Sequence, residues 1–478
     1  MQSTRKCMSS FLERMGDLVE VKPPVFHMLY NTSQQYKHAT LTIDCMYRDN
    51  PQCAASYLLW SRHKDRESTM RAAIVDNNTS KALGHIDAEF SNKLKNCGLG
   101  YENVKYIIVT HIHLDHAGAT GHLLRKCPNA IVLCHPKAVK HLIDPSRLIE
   151  AATGIYGKSR FEDLYGEILP CEKERVQAVR DNETVDFAEG RSLQFFHVDG
   201  HAKHHLIAFD KATESVFAGD AYGIRYPWLP LFNVTESLIF PSSSPSDFNA
   251  AEQRKAIEKI FSLQPRKIYI THYGMIEDID GTKAELLKNL DIFEEIQKNL
   301  SKKIVGGMSE QGVVDAARHD IKSFFLSELT RRGLANDKEG FWDFFEHDVD
   351  INSKGLLVAA QRDAVANREE ILEAVAREKN QVAEKPENFS VQEKVASIDL
   401  AKEEKATSLT VTELQEEFLR TGLEPYSSIL QKQEIDGDIF RSLTKGDINA
   451  VFPNLSFGAR FRMEKLQERL QQLQSSSK

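Results

Sequence analysis

Three things are scarce in this sequence. No run of apolar residues approaches the ~18 needed to cross a bilayer, so no membrane span is expected. Cysteine is confined to the first part of the chain, at Cys7, Cys45, Cys53, Cys97, Cys127, Cys134 and Cys171. Their number is odd and no Cys-x-x-Cys pair occurs, which argues against a disulfide framework and against a structural zinc knuckle. Reduced thiols in a cytoplasmic protein fit that usage best. Net positive charge is missing as well: 61 Lys and Arg against 69 Asp and Glu leave -8, which gives no global attraction to a phosphate backbone and disfavours nucleic acid as a partner. At the N-terminus Arg5, Lys6 and Arg14 are interrupted by Glu13, Asp17 and Glu20, against a signal or transit pattern. No internal repeat is visible.

What is present is enough chain for two or three domains, 478 residues with an ordinary share of apolar side chains. Residues 1–24 read as a polar leader ending at Pro23-Pro24. Strand-like runs follow at Thr40–Tyr47, Ala54–Trp60 and Ala72–Asp76, then a helical spacing over 84–97. A buried strand is expected at Tyr106–Val109, a helix from Gly121, and a strand at Ala130–Cys134. Between 137 and 185 the pattern loosens, as in an insertion or flap. Strand signals resume at Ser192–Val198, Leu206–Phe209, Ser215–Phe217 and Lys267–Ile270. Strands alternating with helices predict an α/β layered domain over 25–275. Residues 276–379 turn helical and charged, 380–407 read as a charged linker, and a new periodic pattern occupies 408–473.

The densest chemistry lies in Thr110-His111-Ile112-His113-Leu114-Asp115-His116-Ala117-Gly118. Three imidazoles and a carboxylate fall within six positions, directly after an apolar strand. Burying so many polar groups is costly unless something satisfies them, and a divalent metal does so with imidazole nitrogen and carboxylate oxygen. Later segments repeat one arrangement, a polar residue where an apolar run stops. They are Asp199-Gly200-His201 trailed by His204 and His205, then Ala218-Gly219-Asp220, then Ile270-Thr271-His272.

In this order the set resembles the metallo-β-lactamase superfamily, whose motif is His-x-His-x-Asp-His with a downstream His, a bridging Asp and a final His. The resemblance covers residues 25–275 and implies an αββα sandwich, here followed by a helical extension and a small all-α C-terminal bundle. It implies that His111, His113 and His201 hold one metal, Asp115, His116 and His272 a second, and that Asp220 bridges them. Asp76 and His205 match positions that support the site. His204 stands where glycine is usual, and Asn77 where threonine or serine is usual. The cofactors implied are two divalent ions, zinc first, with iron or manganese not separable by sequence. The chemistry implied is hydrolysis of an ester, thioester, lactone or related bond by a metal-bridged hydroxide, with Asp115 as the catalytic carboxylate that orients it or takes its proton. The residual positive charge suits a small polar or anionic substrate. Tyr156, Tyr222, Arg225 and Tyr226 are candidates to line its pocket. The competing readings are a mononuclear iron oxidoreductase of the same fold, and a scaffold whose C-terminal module is the working part.

That module carries Leu414, Phe418 and Leu419, then Gly422 to Tyr426, then Ile429-Leu430, the turn Ile435-Asp436-Gly437-Asp438, and a last helix through Leu466 and Leu470. It resembles the sterile alpha motif domain, which implies self-association or a protein partner through 408–473. Basic residues Arg460, Arg462 and Lys465 facing Asp436 and Asp438 would give a head-to-tail contact.

Overall fold

A computed structural model describes residues 31–32, 36–63, 66–96, 98–227, 229, 237–334, 341–383, 409–420, 423, 426–443, 448, 451–452, 463, 466–467 and 470. The 1–24 leader, most of the 380–407 linker, and Arg460, Arg462 and Lys465 lie outside the described residues. The chain divides into two compact units, 1–299 with 329–362, and 300–328 with 363–478.

The first unit is built on two sheets. Seven strands run side by side in chain order: β1 (Asn31–Thr32), β2 (Tyr36–Asp44), β3 (Ala55–His63), β4 (Arg66–Val75), β5 (Val104–Ile108), β6 (Ile131–Cys134) and β7 (Val176–Ala178). The second sheet uses β8 (Thr184–Ala188), β9 (Arg191–His197), β10 (Leu206–Asp210), β11 (Ser215–Gly219), β14 (Lys267–Ile270) and β15 (Gly274–Ile276), in the order β15-β14-β11-β10-β9-β8. A separate two-stranded ribbon pairs β12 (Ile224–Arg225) with β13 (Ile239–Phe240). Alternation of side chains decides which residues meet between the sheets. Tyr57, Leu59, Ala73, Val75, Tyr106 and Ile108 from the first pack on Phe187, Leu193, Phe195, Leu206, Ala208 and Phe217 from the second. Their neighbours on the outer face, Leu58, Ile74, Ile107 and Val216, are also fully buried, so these strands read as continuous apolar runs.

One cation is buried in this sandwich. Arg191, at the start of β9, is 2% exposed and pairs with Asp210 of β10 at 2.6 Å. Its Nη1 donates to the carbonyls of Ala39 (3.0 Å) and Trp60 (2.7 Å), on β2 and β3. A single guanidinium thus ties the second sheet to the first, with every contact charge-assisted.

Helices account for the differences from the sequence reading. The loosely patterned 137–185 segment holds three short helices, Val139–Ile143, Ser146–Tyr156 and Lys158–Tyr165. Gly157, at φ +77°, breaks the last two apart, and such punctuation hides periodicity. Ala250–Ser262, capped by Asn249, buries Ala256, Ile257 and Ile260 and is a helix that the sequence reading does not anticipate. The expected strand Thr40–Tyr47 stops at Asp44, because Met46, Arg48 and Asp49 adopt left-handed conformations that a strand excludes. Helix Phe341–Ala366, within the stretch read as an extension, supplies residues 341–362 to the first unit.

In the second unit, residues 409–470 gather one apolar cluster that includes Leu414, Phe418, Leu430, Ile439, Phe440, Phe452 and Leu466. Its described helices are Val411–Arg420, Ser427–Lys432 and Gly437–Ser442. Thr410 and Glu413 cap the first reciprocally: Glu413 N donates to Thr410 Oγ1 (3.3 Å) and Thr410 N to Glu413 Oε2 (2.8 Å). Asp436 caps the third through Asp438 N and Ile439 N, and Asp438 pairs with Arg441. Both carboxylates expected on an acidic binding face therefore already have partners inside the helix. No helix among the described residues is long and apolar enough to cross a membrane.

Candidate metal centre

The polar residues of the motif converge because four strands end together. β4 and β5 run parallel, as do β11 and β14, and the site gathers at the carboxyl ends of both pairs. Beyond β5, residues 109–113 form no regular element, then the short helix Leu114–Ala117 turns Asp115 and His116 back toward His111. His201 comes from the β9–β10 loop, Asp220 directly follows β11, and His272 lies two residues past β14.

Three groups of ligand-type atoms result, each within 4.8 Å: His111, His113 and His201; His111, His116 and Asp220; and Asp115, His116 and His272. His113 Nδ1 lies 2.9 Å from both His111 Nε2 and His201 Nε2. Asp220 Oδ1 lies 3.2 Å from His116 Nε2 and 3.7 Å from His272 Nε2, and its Oδ2 lies 3.5 Å from His201 Nε2. Asp115 Oδ2 is 3.3 Å from His272 Nε2. All seven expected residues thus meet at one place.

The outer nitrogens decide what the inner ones can do. His116 Nδ1 donates to Asp76 Oδ2 (2.9 Å), His201 Nδ1 to the Ser242 carbonyl (2.8 Å) and His272 Nδ1 to the Cys53 carbonyl (2.9 Å). His111 Nδ1 faces Thr110 Oγ1 at 3.2 Å, a hydroxyl that itself donates to Asp76. With Nδ1 engaged outward, each of these four rings points its Nε2 inward, the atom that offers a lone pair to a metal once it is deprotonated. His116 Nε2 and Asp220 Oδ1 are buried and complete no hydrogen bond among the described residues. Such a shell of acceptors behind imidazole donors is what metal ligation requires, and a divalent cation would satisfy these orphaned atoms.

Protonation follows the same geometry. Burial, with the neighbouring imidazoles, pushes His111 and His113 well below the ordinary histidine range. Burial also acts on His116 and His272, but nearby carboxylates outweigh it; Asp220 and Asp115 raise His272 to about 9. Despite burial, His116 and His272 hold the Asp115 and Asp220 carboxyls well below the usual range.

The supporting residues have definite work. Asp76 is fully buried and accepts from Thr110 N (2.9 Å), Thr110 Oγ1 (2.8 Å), His116 and Thr271 Oγ1 (2.7 Å). Asn77, in place of the usual hydroxyl residue, bonds Thr120 Oγ1 at 2.9 Å. His205 Nε2 accepts from Asp220 N (3.2 Å) and its ring stacks on His111. Ser242 Oγ donates to Asp220 Oδ2 (3.0 Å).

A cavity of about 260 Å³ opens on this cluster, reaching His113, Asp115, His201, Asp220 and His272. Of the four expected pocket residues, Tyr156 and Tyr226 line it. Tyr222 does not: it is buried with its hydroxyl on the Ile279 carbonyl (3.2 Å) and Thr282. Arg225 also lies off the lining; its backbone pairs with His272 and Tyr273. Sequence reading missed Tyr47, Arg48, His204, His347, Asp348 and Asn352 on the lining. The dipeptide His347-Asp348 inside an aromatic helix was the available signal for two of them. Asp348, buried, is raised to about 6 by that burial and accepts from the Tyr226 hydroxyl (3.0 and 3.2 Å).

Residues 83–272 match the family described as the Metallo-beta-lactamase superfamily. The chain is 25% identical over 228 residues to the metallo-beta-lactamase fold-containing protein ST1585 of Sulfurisphaera tokodaii, covering 47% of this chain and 79% of that one. It is 22% identical over 244 residues to the putative diflavin flavoprotein A 1 of Thermosynechococcus vestitus, covering 49% of this chain but only 36% of the relative. Among solved structures it is similar to the metallo-beta-lactamase family protein TTHA1429 of Thermus thermophilus, with TM-score 0.46, 17% identity, and coverage of 70% and 93%. The similarity to the Metallo-beta-lactamase superfamily thus lies in residues 83–272 of this chain.

Proposed function

We propose that the chain is a metal-dependent hydrolase acting on an ester, thioester, lactone or related bond. His111, His113, His201 and Asp220 would hold one divalent ion, and Asp115, His116, His272 and Asp220 a second, zinc in both cases. When bound, such ions lower the pKa of water to about 7 and polarise a carbonyl or phosphoryl oxygen. The observation that carries the reading is the set of four imidazoles whose outer nitrogens are engaged, leaving their Nε2 atoms turned inward beside two carboxylates at the floor of a cavity.

The chain's own residues supply position and proton handling. Both carboxylates line the cavity, but Asp115 is only half-buried whereas Asp220 is buried. Asp115 is therefore the carboxylate that can orient an attacking water and accept its proton. Asp220, held by Ser242 Oγ and by the anchored imidazoles of His116 and His201, keeps the cluster together. Tyr156 and Tyr226 bound the space for a small substrate.

Residues 408–473 belong to the same reading as a sterile alpha motif-like interaction module, supported by their own apolar core. A cytoplasmic setting belongs to the same reading, on the odd number of cysteines and the want of a Cys-x-x-Cys pair in the sequence.

The test is a panel of thioester, lactone, β-lactam and phosphodiester substrates, run on zinc-loaded protein and on Asp220→Ala. Turnover of one class by the wild type, abolished in the variant, is expected. Oxygen uptake by an iron-loaded protein, with no hydrolysis by the zinc form, would overturn the reading in favour of an oxidoreductase.

A further inference from the structure

The loop between β2 and β3 is built at some cost, and it carries a cation to the cavity. Met46, Arg48, Asp49 and Gln52 all have φ between 47° and 60°, a left-handed region that non-glycine residues avoid. The loop is nevertheless fully tied. Asp44 accepts from Met46 N (3.0 Å) and Gln52 N (2.8 Å), Cys45 N donates to the Ala54 carbonyl (3.0 Å), and Asn50 Nδ2 donates to the Arg48 carbonyl (2.9 Å). Strain of this kind persists only where surrounding structure over-determines it, and it concentrates at sites of function. Its product is the placement of Tyr47 and Arg48 on the cavity lining.

No hydrogen bond or ion pair engages the Arg48 guanidinium among the described residues. On the same lining, helix Phe341–Ala366 contributes His347, whose Nδ1 is buried with no hydrogen-bond partner among the described residues. A cation and an unsatisfied imidazole nitrogen therefore share one cavity beside the candidate metal cluster. Apolar side chains complete the wall, among them Leu148, Ile224 and Ile351, with the rings of Tyr47, Tyr156 and Tyr165.

We propose that Arg48 and His347 form an anion-binding pole that selects acyl substrates carrying a free carboxylate. The inference rests on the hydrolase reading for the scissile bond, and on the unpaired polar groups for the carboxylate. An oxyanion would give the guanidinium a two-point partner and would accept from His347 Nδ1. A carboxylate fits better than a phosphate, because Asp115 and Asp348 line the same cavity and would repel a dianion. Burial, reinforced by Arg48, keeps His347 well below its ordinary range, so it serves as a neutral donor. Asp348 is engaged by the Tyr226 hydroxyl and does not neutralise Arg48 by direct contact.

The experiment compares the zinc-loaded full chain on two esters of similar length, the para-nitrophenyl monoester of glutarate and para-nitrophenyl pentanoate. Wild-type protein should prefer the anionic ester in kcat/KM. Arg48→Met should reduce that preference about tenfold, mainly through KM, and Arg48→Lys should restore part of it. His347→Phe should lower the preference less. An undiminished preference in Arg48→Met would overturn the proposal. Calorimetry with phenylbutyrate against phenylbutyramide on the same proteins separates the two readings. If neither ester is hydrolysed, the hydrolase reading fails, and tighter binding of the acid that disappears in Arg48→Met still supports the pole. Equal binding of acid and amide, or acid binding indifferent to Arg48→Met, overturns the pole even where hydrolysis is robust.

Discussion

Replacing Asp76 by Asn separates a metal-positioning carboxylate from a merely buried one. The carboxylate accepts from Thr110 N at 2.9 Å, from Thr110 Oγ1 at 2.8 Å, from His116 Nδ1 at 2.9 Å and from Thr271 Oγ1 at 2.7 Å. An asparagine oxygen can keep the Thr110 amide, which leaves the side-chain NH2 facing His116 and Thr271. Two charge-assisted hydrogen bonds are lost, each worth about 1.5–3 kcal/mol. The Thr271 hydroxyl can rotate to accept from the new amide, so the net destabilisation is about 2–4 kcal/mol in the metal-free protein. The larger effect falls on His116. Two donors then face each other, the ring is no longer held with its lone pair on Nε2, and divalent metal affinity should drop about 10–100-fold. Urea denaturation of the apoprotein reads the first quantity, and competition with a chromophoric chelator reads the second. A variant that keeps zinc affinity within about twofold of wild type, whatever its stability, would show that the orientation of His116 does not depend on Asp76.

Other expectations follow from the same contacts. Asp348 is raised to about 6 by burial, so the folded state holds its proton more tightly than the unfolded chain does. Its contribution to stability is fully present below about pH 4 and is lost as pH rises through 6, which amounts to about 3 kcal/mol at most. Asp348→Asn keeps an oxygen for the Tyr226 hydroxyl and should flatten that part of the stability–pH curve, measured by denaturant titration between acid and neutral pH. Gly355 lets helix Phe341–Ala366 approach Ser243, whose carbonyl oxygen would lie 2.5 Å from an added Cβ. Gly355→Ala should cost about 1–3 kcal/mol in thermal unfolding and raise KM, because His347, Asp348 and Asn352 ride on that helix. Arg191→Met leaves Asp210 buried without its cation and should cost about 3–5 kcal/mol, read from chemical denaturation.

Much of this architecture is legible in the residues. The strand before His111, the strand ends at Asp220 and His272, and the apolar runs of β4, β5 and β11 all follow from period and burial, and their polar termini mark the site. Other features escape for physical reasons. Arg48 directly follows the run Thr40–Tyr47, whose composition favours a strand, and only left-handed backbone at Met46, Arg48 and Asp49 turns the chain there into a pocket wall. His347 and Asp348 lie 75 and 76 residues beyond His272, on a helix whose approach depends on the missing side chain at Gly355. Tyr222 looked like a pocket aromatic, yet its neighbour across the packing is Thr282, a contact that no local pattern encodes. Short helices divided by Gly157 defeat periodicity altogether. Motif spacing reports what a local turn brings together, whereas cavity walls are assembled by tertiary packing.

Whether the seven side chains form one two-metal cage is decided by elemental analysis of purified protein dialysed against zinc. About two zinc ions per chain are expected, with one lost in His272→Ala and the other weakened in His201→Ala. Protein that retains no zinc after dialysis, or whose metal content is indifferent to both substitutions, would rule the cage out.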